Sequence, residues 1–239
     1  MYGITYTWSF INPYFASYLY WNGDKSISPK DTFILMPCIF FIKYFFMTLG
    51  VKLGDTITAR GTSIISVILL ILSYLILIQF PNFNMVLFGM CIFGIGNGLG
   101  NLSVIKNSWR YFPNNKALIN GIILTGFGIS SSFYSFFADI IINYNKEPTN
   151  NQGYYSIEIS NNLITFLKFN LYTIIFLGSF SIILTFPFKK EELIDNIENV
   201  NEIEIENENE KEDLIDAFFS IQNLQLAIIC FCGPCKIFK

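Results

Sequence analysis

The chain has 239 residues, of which 52% are hydrophobic, 18% aromatic and only 14% charged. This composition excludes an ordinary soluble domain, in which about 25% of the residues are charged, and favours an integral membrane protein. Five cysteines inside a largely apolar sequence indicate no disulfide framework. The absence of histidine removes the commonest metal ligand and the usual neutral-pH acid or base. We therefore expect no enzyme activity, no metal and no cofactor.

Six apolar stretches recur in the first part of the chain, separated by short breaks that carry Pro, Gly, Asn and charge. A hydrocarbon core about 30 Å thick requires roughly 20 apolar residues of helix, and backbone amides in lipid must bond within their own segment. Each stretch is therefore predicted to be a transmembrane helix. They run approximately over Ile4–Tyr20, Thr32–Leu53, Ser63–Phe80, Asn84–Val104, Ala117–Ile142 and Phe166–Phe186.

Basic residues lie mainly at alternate connections between these stretches. Those at the second-to-third and fourth-to-fifth connections and after the sixth stretch are Lys52, Arg60, Lys106, Arg110, Lys116, Lys189 and Lys190. Those at the remaining connections are Lys25, Lys30, Lys146 and Lys168. By the positive-inside rule, this asymmetry predicts that both ends of the six-helix unit face the cytoplasm.

The chain divides into three regions. We predict a six-helix transmembrane domain over residues 1–188, an acidic cytoplasmic linker over residues 189–216 and an incomplete seventh helix over residues 217–239. The linker alternates Glu and Asn with Ile and Val, which is typical of a solvated segment, although an acidic interaction tail is an alternative. The last region is largely apolar from Ala217 to Gly233, a length that is marginal for crossing a bilayer.

A dithiol motif closes the sequence. Cys232-Gly-Pro-Cys235 reproduces the thioredoxin active-site loop, in which a helix N-terminus acidifies the first thiol. No alternating strand and helix pattern surrounds it to present the thiols, so we interpret it as a coincidence and set the membrane-tethered redox enzyme aside.

The second-to-third connection carries a loop signature, Gly50-Val-Lys-Leu-Gly54-Asp55-Thr-Ile-Thr-Ala-Arg60-Gly61. It resembles the loop motif of the major facilitator superfamily, with Thr58 where that motif has Gly and only Arg60 left of its basic cluster. The resemblance implies a gating loop in which Gly54 lets two helices approach, Asp55 accepts bonds from a facing helix N-terminus and Arg60 pairs with a carboxylate across the inner gate. Ordinary turn and N-cap chemistry is the alternative.

Glycines and a loop motif mark the fourth and fifth stretches. The order Gly94-x-Gly-x-Gly-x-Gly100, then Trp109-x-x-Phe112-Pro113, then a second glycine group resembles the oxalate–formate antiporter and monocarboxylate transporter branch of that superfamily. Glycines one turn apart on one face allow close helix crossing. We predict helix packing at Gly94, Gly96, Gly98, Gly100, Gly121, Gly126 and Gly128.

Polar residues inside two stretches are candidates for a substrate cavity. Tyr6, Trp8 and Asn12 in the first stretch are more polar than lipid-facing positions favour, although aromatic residues near membrane ends are most often interfacial anchors. Lys43 lies near the middle of the second stretch, where a lone charge costs several kcal/mol. It is expected either to attract a carboxylate substrate or to snorkel past its neighbours.

The resemblance implies an all-α fold in which the chain is one half of a twelve-helix transporter, with substrate held between two halves at mid-bilayer. The expected function is secondary transport of a small organic anion, such as a monocarboxylate, formate or oxalate, by a truncated chain. The alternative is a non-transporting half-transporter that acts as an oligomerising membrane subunit. Expected partners are the bilayer, the anion and either a second copy or a complementary six-helix half, and no nucleic acid.

Overall fold

The computed structural model describes residues 7–23, 25, 27–112, 115–150 and 152–185, and its regular elements in these ranges are all helices. The acidic linker, the region 217–239, the dithiol motif and Tyr6 lie outside the described residues. Six α-helices are described: α1 (Trp8–Asn22), α2 (Leu35–Ile57), α3 (Ala59–Gln79), α4 (Phe83–Tyr111), α5 (Lys116–Ile142) and α6 (Ile157–Leu184). A 3-10 turn, Asp31–Ile34, leads directly into α2.

The helices α2 to α6 are long and apolar enough to cross a membrane. The prediction of an all-helical fold is therefore confirmed for the described residues, and five of the helices are candidate membrane spans, which is compatible with a multi-pass membrane protein. The helix α1 has 15 described residues, fewer than the roughly 20 that a bilayer core requires. The sixth crossing, predicted from Ile4, therefore stays a prediction.

Two helices extend furthest beyond their predicted bounds. The helix α6 begins at Ile157, nine residues before the predicted start, because Ser156 caps it: its hydroxyl accepts from the Ile159 amide at 3.5 Å. Glu158 in the first turn also favours the helix N-terminus. The helix α4 continues to Tyr111 with Arg110 in its last turn, where a cation is favourable. Helical structure thus extends past the apolar residues at both places.

A single residue joins α2 to α3. Thr58 has φ 94° and is the N-cap of α3, with its side-chain oxygen accepting from the Gly61 amide at 3.3 Å. A positive φ of this kind is costly for a β-branched residue and easy for glycine. The two helices are therefore connected through a strained turn.

The neighbours of the six helices follow an exchange rule. The rule exchanges α1 with α4, α2 with α5 and α3 with α6. Under this exchange the contacts α2–α4, α3–α4 and α2–α3 correspond to α5–α1, α6–α1 and α5–α6, and all six contacts are present. The contact α3–α6 maps onto itself, and α4–α5 corresponds to the contact of α1 with the turn that opens α2. The first three and the last three described helices thus have matching sets of neighbours.

The two sets of three helices are packed unequally. The helix α4 lies in the interior against α2 and α3, and Ser66 and Ser73 of α3 donate to the Gly96 and Gly89 carbonyls of α4 at 2.6 and 2.8 Å. The corresponding helix α1 packs mainly on α6. Most of α5 is exposed, and its buried residues are Tyr134, Ala138 and Ile142.

Candidate functional site

The α2–α3 turn lies against the last turns of α4. A Cβ atom added at Gly54 would overlap the Ser103 hydroxyl and lie 3.2 Å from the Ser103 Cβ, so a larger residue here requires Ser103 to move. Gly50 has the same role one turn earlier, where an added Cβ would lie 2.7 Å from the Leu99 Cα. This contact places Asp55 above the end of α4.

Asp55 is held by two cations of α4. Its Oδ1 accepts from Arg110 Nη2 at 2.7 Å and its Oδ2 from Lys106 Nζ at 3.1 Å. Lys106 and Arg110 are four residues apart and therefore lie on one face of the helix. The three side chains are 35–40% exposed, so water screens each pair to about 0.2–1 kcal/mol. The cluster carries one net positive charge, which favours the approach of anions.

This arrangement differs from the expected bond between Asp55 and a facing helix N-terminus. In the described residues the carboxylate binds side chains of α4 instead, because the close approach at Gly54 brings that face of α4 within reach. The basic residues of both connections were assigned to one side of the membrane, but their pairing with Asp55 was missed. The pair joins the end of α2 to the end of α4 directly.

Arg60 links the start of α3 to the end of α6 by a hydrogen bond. Its Nε donates to the Thr185 carbonyl at 2.7 Å. The expected partner was a carboxylate across the inner gate, whereas the described contact of this atom is a helix C-terminal carbonyl, which is itself favourable for a cation. Near the same end, Trp109 Nε1 donates to Asn120 Oδ1 at 2.9 Å and links α4 to α5. These two bonds and the two bonds of Asp55 thus join the helix ends at this side of the bundle.

A cleft of about 480 Å³ opens between α4 and α6 at this end. Its apolar lining includes Leu177 and Phe180, and its polar lining includes Asn107, Ser108 and Ser181. A cleft of this volume and mixed lining is typical of small-molecule sites. No basic side chain is among the described residues that line it.

The glycines of α4 lie at close helix approaches. An added Cβ at Gly98 would overlap the Lys43 carbonyl of α2, and one at Gly94 would lie 3.0 Å from the Ile39 carbonyl. Gly96 faces the other way, where an added Cβ would lie 3.0 Å from Leu69 Cβ of α3. Gly100 is also buried. The alternating glycines therefore let α4 contact two helices at once.

The glycines of α5 differ from the expectation. Gly121, Gly126 and Gly128 would each accept a Cβ atom with no other described atom within 4 Å. They do not mediate packing among the described helices, and the buried residues of α5 are Tyr134, Ala138 and Ile142 instead. This face of α5 is open.

The expected cavity residues are enclosed. Trp8, Asn12 and Lys43 are 6%, 0% and 2% exposed, so they point into the described helices and line no open substrate cavity there. Lys43 Nζ lies 5.7 Å from the ring centroid of Phe40 and 5.8 Å from that of Tyr44, distances at which the aromatic faces stabilise a cation. At 2% exposure Lys43 is enclosed and does not reach the surface of the described bundle.

The described residues contain no group of three or more His, Cys, Asp and Glu side chains that could hold a metal ion. Comparison of the chain with protein-family models, curated proteins and solved structures gives no match.

Proposed function

We propose that the chain is a six-helix half of a secondary transporter of the major facilitator type, for small organic anions such as a monocarboxylate, formate or oxalate. The observation that carries the proposal is the exchange rule of the helix neighbours. Transporters of this kind are built from three-helix units inverted in the membrane, with substrate bound at the interface of larger repeats near mid-bilayer. A bundle in which α1–α3 and α4–α6 have equivalent neighbours has the organisation of one such half. It also favours α1 as a sixth crossing helix.

The Asp55 cluster supports a gate at one end of this half. Opening of one end in alternating access also shifts helix ends within a half, and contacts between those ends must break as they move. Exposed ion pairs are suited to this role because each is weak and water can replace it. The net positive charge of Asp55, Lys106 and Arg110 also favours an anionic substrate. In this proposal the Asp55 end faces the cytoplasm, as the basic residues of the connections predict.

The open face of α5 supports a further membrane partner. Gly121, Thr125, Gly128 and Ser132 follow one another at spacings of four, three and four residues, so they lie on one helix face, and all four are exposed. Faces of small residues favour helix association in lipid. A complementary six-helix half would complete a transporter, and a second copy of the chain is the other candidate partner. Association with a second copy corresponds to the alternative function, that of an oligomerising membrane subunit.

Uptake by the purified chain tests the proposal. The chain is reconstituted into liposomes, and accumulation of labelled formate, oxalate and lactate is measured against protein-free liposomes. We expect saturable uptake of at least one anion, because the half supplies a cationic gate and a packed scaffold. An inserted chain without uptake of any of the three would contradict transport by this form.

Cross-linking separates the two functions. A cysteine at Gly128, introduced into a chain lacking its five native cysteines, is expected to form a disulfide-linked dimer if a second copy covers α5. Phe176, which is 71% exposed on α6, supplies a matched lipid-facing control position. Cross-linking at position 128 but not at position 176, together with no uptake, would favour the subunit over the transporter.

A further inference from the structure

Four polar side chains from four helices lie deep inside the bundle. Asn12 of α1, Tyr74 of α3, Tyr134 of α5 and Asn170 of α6 are 0%, 4%, 1% and 1% exposed. Tyr74 lies close to both Tyr134 and Asn170. We refer to these four residues as the polar layer.

Contacts near the helix ends place the layer at one depth. Asn162 Nδ2 of α6 donates to the Ile142 carbonyl of α5 at 3.2 Å. Tyr134 lies eight residues before Ile142 and Asn170 eight residues after Asn162. Because α5 and α6 are antiparallel and each residue rises about 1.5 Å, both side chains are about 12 Å from that contact.

The register of α1 gives the same depth. Asn22 Nδ2 of α1 donates to Asn161 Oδ1 of α6 at 3.2 Å. Asn12 lies ten residues before Asn22, and Asn170 lies nine residues after Asn161. Asn12 is therefore level with Asn170 to within about one residue of helix rise.

Polar atoms of the layer have unmet hydrogen-bonding capacity. Both amide atoms of Asn12, the Tyr134 hydroxyl and the Asn170 Oδ1 are buried without a hydrogen-bond partner among the described residues. Trp8 Nε1, one turn from Asn12 on the same face of α1, is also buried without a hydrogen-bond partner among the described residues. Each unmet buried group costs about 1–3 kcal/mol, and buried polar groups without a protein partner are commonly satisfied by water.

The donors and acceptors specify the ligand. Trp8 Nε1 and Asn12 Nδ2 donate, Asn12 Oδ1 and Asn170 Oδ1 accept, and the Tyr134 hydroxyl does both. An anion would be repelled by the two carbonyl oxygens, and a cation by the two N–H donors. A small neutral molecule that both donates and accepts matches the set, and water makes about three such bonds in protein interiors.

We infer that the bundle holds bound water at the polar layer, bridging Asn12, Tyr134 and Asn170. This hydration site is separate from the Asp55 cluster and from the open face of α5, because its side chains are buried whereas those are exposed. It therefore does not depend on the proposed transport function, and it makes the interior of this half wet at a depth where lipid surrounds the helices.

Hydroxyl-radical footprinting of the full chain in lipid nanodiscs tests the inference. Microsecond X-ray radiolysis generates radicals from water at the side chain that it touches, and mass spectrometry reads the oxidation. The rate at Tyr134 is compared with that at Phe40 of α2, which is 3% exposed and lies outside the layer. Each rate is divided by the intrinsic reactivity of the free amino acid. We expect Tyr134 to be oxidised several-fold faster than Phe40 despite similar burial.

Two variants connect the water to the asparagines. Asn170→Leu removes a water ligand and is expected to lower the Tyr134 rate to that of Phe40, whereas Asn170→Ser keeps a hydrogen-bonding group and retains the fast rate. A native Tyr134 oxidation rate equal to that of Phe40 would overturn the inference. A fast Tyr134 rate that stays unchanged in the double variant Asn12→Leu, Asn170→Leu would also overturn it. If Asn170→Leu gives no monodisperse protein, the native comparison alone decides.

Discussion

Arg110 Nη2 lies 2.7 Å from Asp55 Oδ1, although 55 positions separate the two residues in the chain. The bond joins the last turn of α4 to the end of α2, and Lys106 takes the other carboxylate oxygen at 3.1 Å. This pairing gives the basic end of the bundle a defined contact, which a change of salt concentration and a substitution can each weaken.

A double-mutant cycle on Asp55→Asn and Arg110→Gln measures that contact. We expect a coupling free energy of about 0.2–1 kcal/mol in unfolding, because the pair is partly exposed and screened by water. The coupling should fall between low and high salt, as expected for solvent-exposed charges. Unfolding midpoints in detergent at two salt concentrations provide the measurement. Additive single effects at low salt would show that the bond contributes nothing.

Substitution of the glycines distinguishes the packed helix from the open one. Gly98→Ala places a methyl group on the Lys43 carbonyl, so we expect destabilisation of about 1–3 kcal/mol. Gly126→Ala is the matched control, since it meets no described atom within 4 Å and gains helix propensity. Both are read as changes in the thermal unfolding midpoint of the purified protein. Equal effects of the two alanines would contradict the assigned close approach of α4 to α2.

Relief of strain at the α2–α3 turn is expected from Thr58→Gly. Glycine adopts the φ of 94° without steric cost and loses only a few tenths of a kcal/mol as an N-cap. The unfolding midpoint should therefore rise. Thr58→Val, which keeps the β-branch but removes the capping oxygen, should lower it, and a lower midpoint for the glycine variant would argue against strain at this residue.

Lys43 is expected to have little influence on substrate affinity. Its ammonium group is enclosed beside Phe40 and Tyr44, so Lys43→Met should leave the KM of anion uptake unchanged. Uptake kinetics in liposomes supply the measurement. A large rise in KM with unchanged kcat would instead indicate that this side chain binds the substrate in ground state and transition state alike.

Tyr154 outside the helices links stability to alkaline pH. Its hydroxyl donates to the Ile27 carbonyl at 2.8 Å, and burial, with Tyr20 and Asp31 nearby, raises its pKa above the usual 10.0. The folded state therefore holds this proton more tightly than the unfolded state. Its contribution is complete below pH 10.0 and is lost as pH rises through the folded pKa. Tyr154→Phe should make the unfolding midpoint less dependent on pH in that range, and an identical pH dependence would contradict the linkage.

Apolar length was sufficient to predict α2 to α6, because lipid requires every spanning segment to be a helix. It did not give the start of α6 at Ile157, since a capped helix continues into water beyond its apolar residues. The partner of Asp55 was also missed, because helical periodicity describes neighbours three and four residues away and not contacts across 55 positions.

Sequence spacing also could not separate residues whose surroundings differ. Gly98 and Gly128 occur in similar glycine-rich patterns, but one lies against a carbonyl of α2 and the other is open. Asn12 and Lys43 were expected in a cavity because they are polar, although both are enclosed by neighbouring helices. Which face of a helix is covered depends on tertiary packing, which polarity alone does not specify.

The α2–α3 and α5–α6 connections differ in how well they tolerate an inserted sequence. Thr58 alone separates α2 from α3, so a peptide inserted there would break the capping bond and displace Asp55 from α4. The α5–α6 connection is fully exposed from Tyr144 to Asn150, and a fusion after Pro148 would leave the Asn143–Glu147 bond intact. An epitope or fiducial domain for imaging therefore belongs after Pro148.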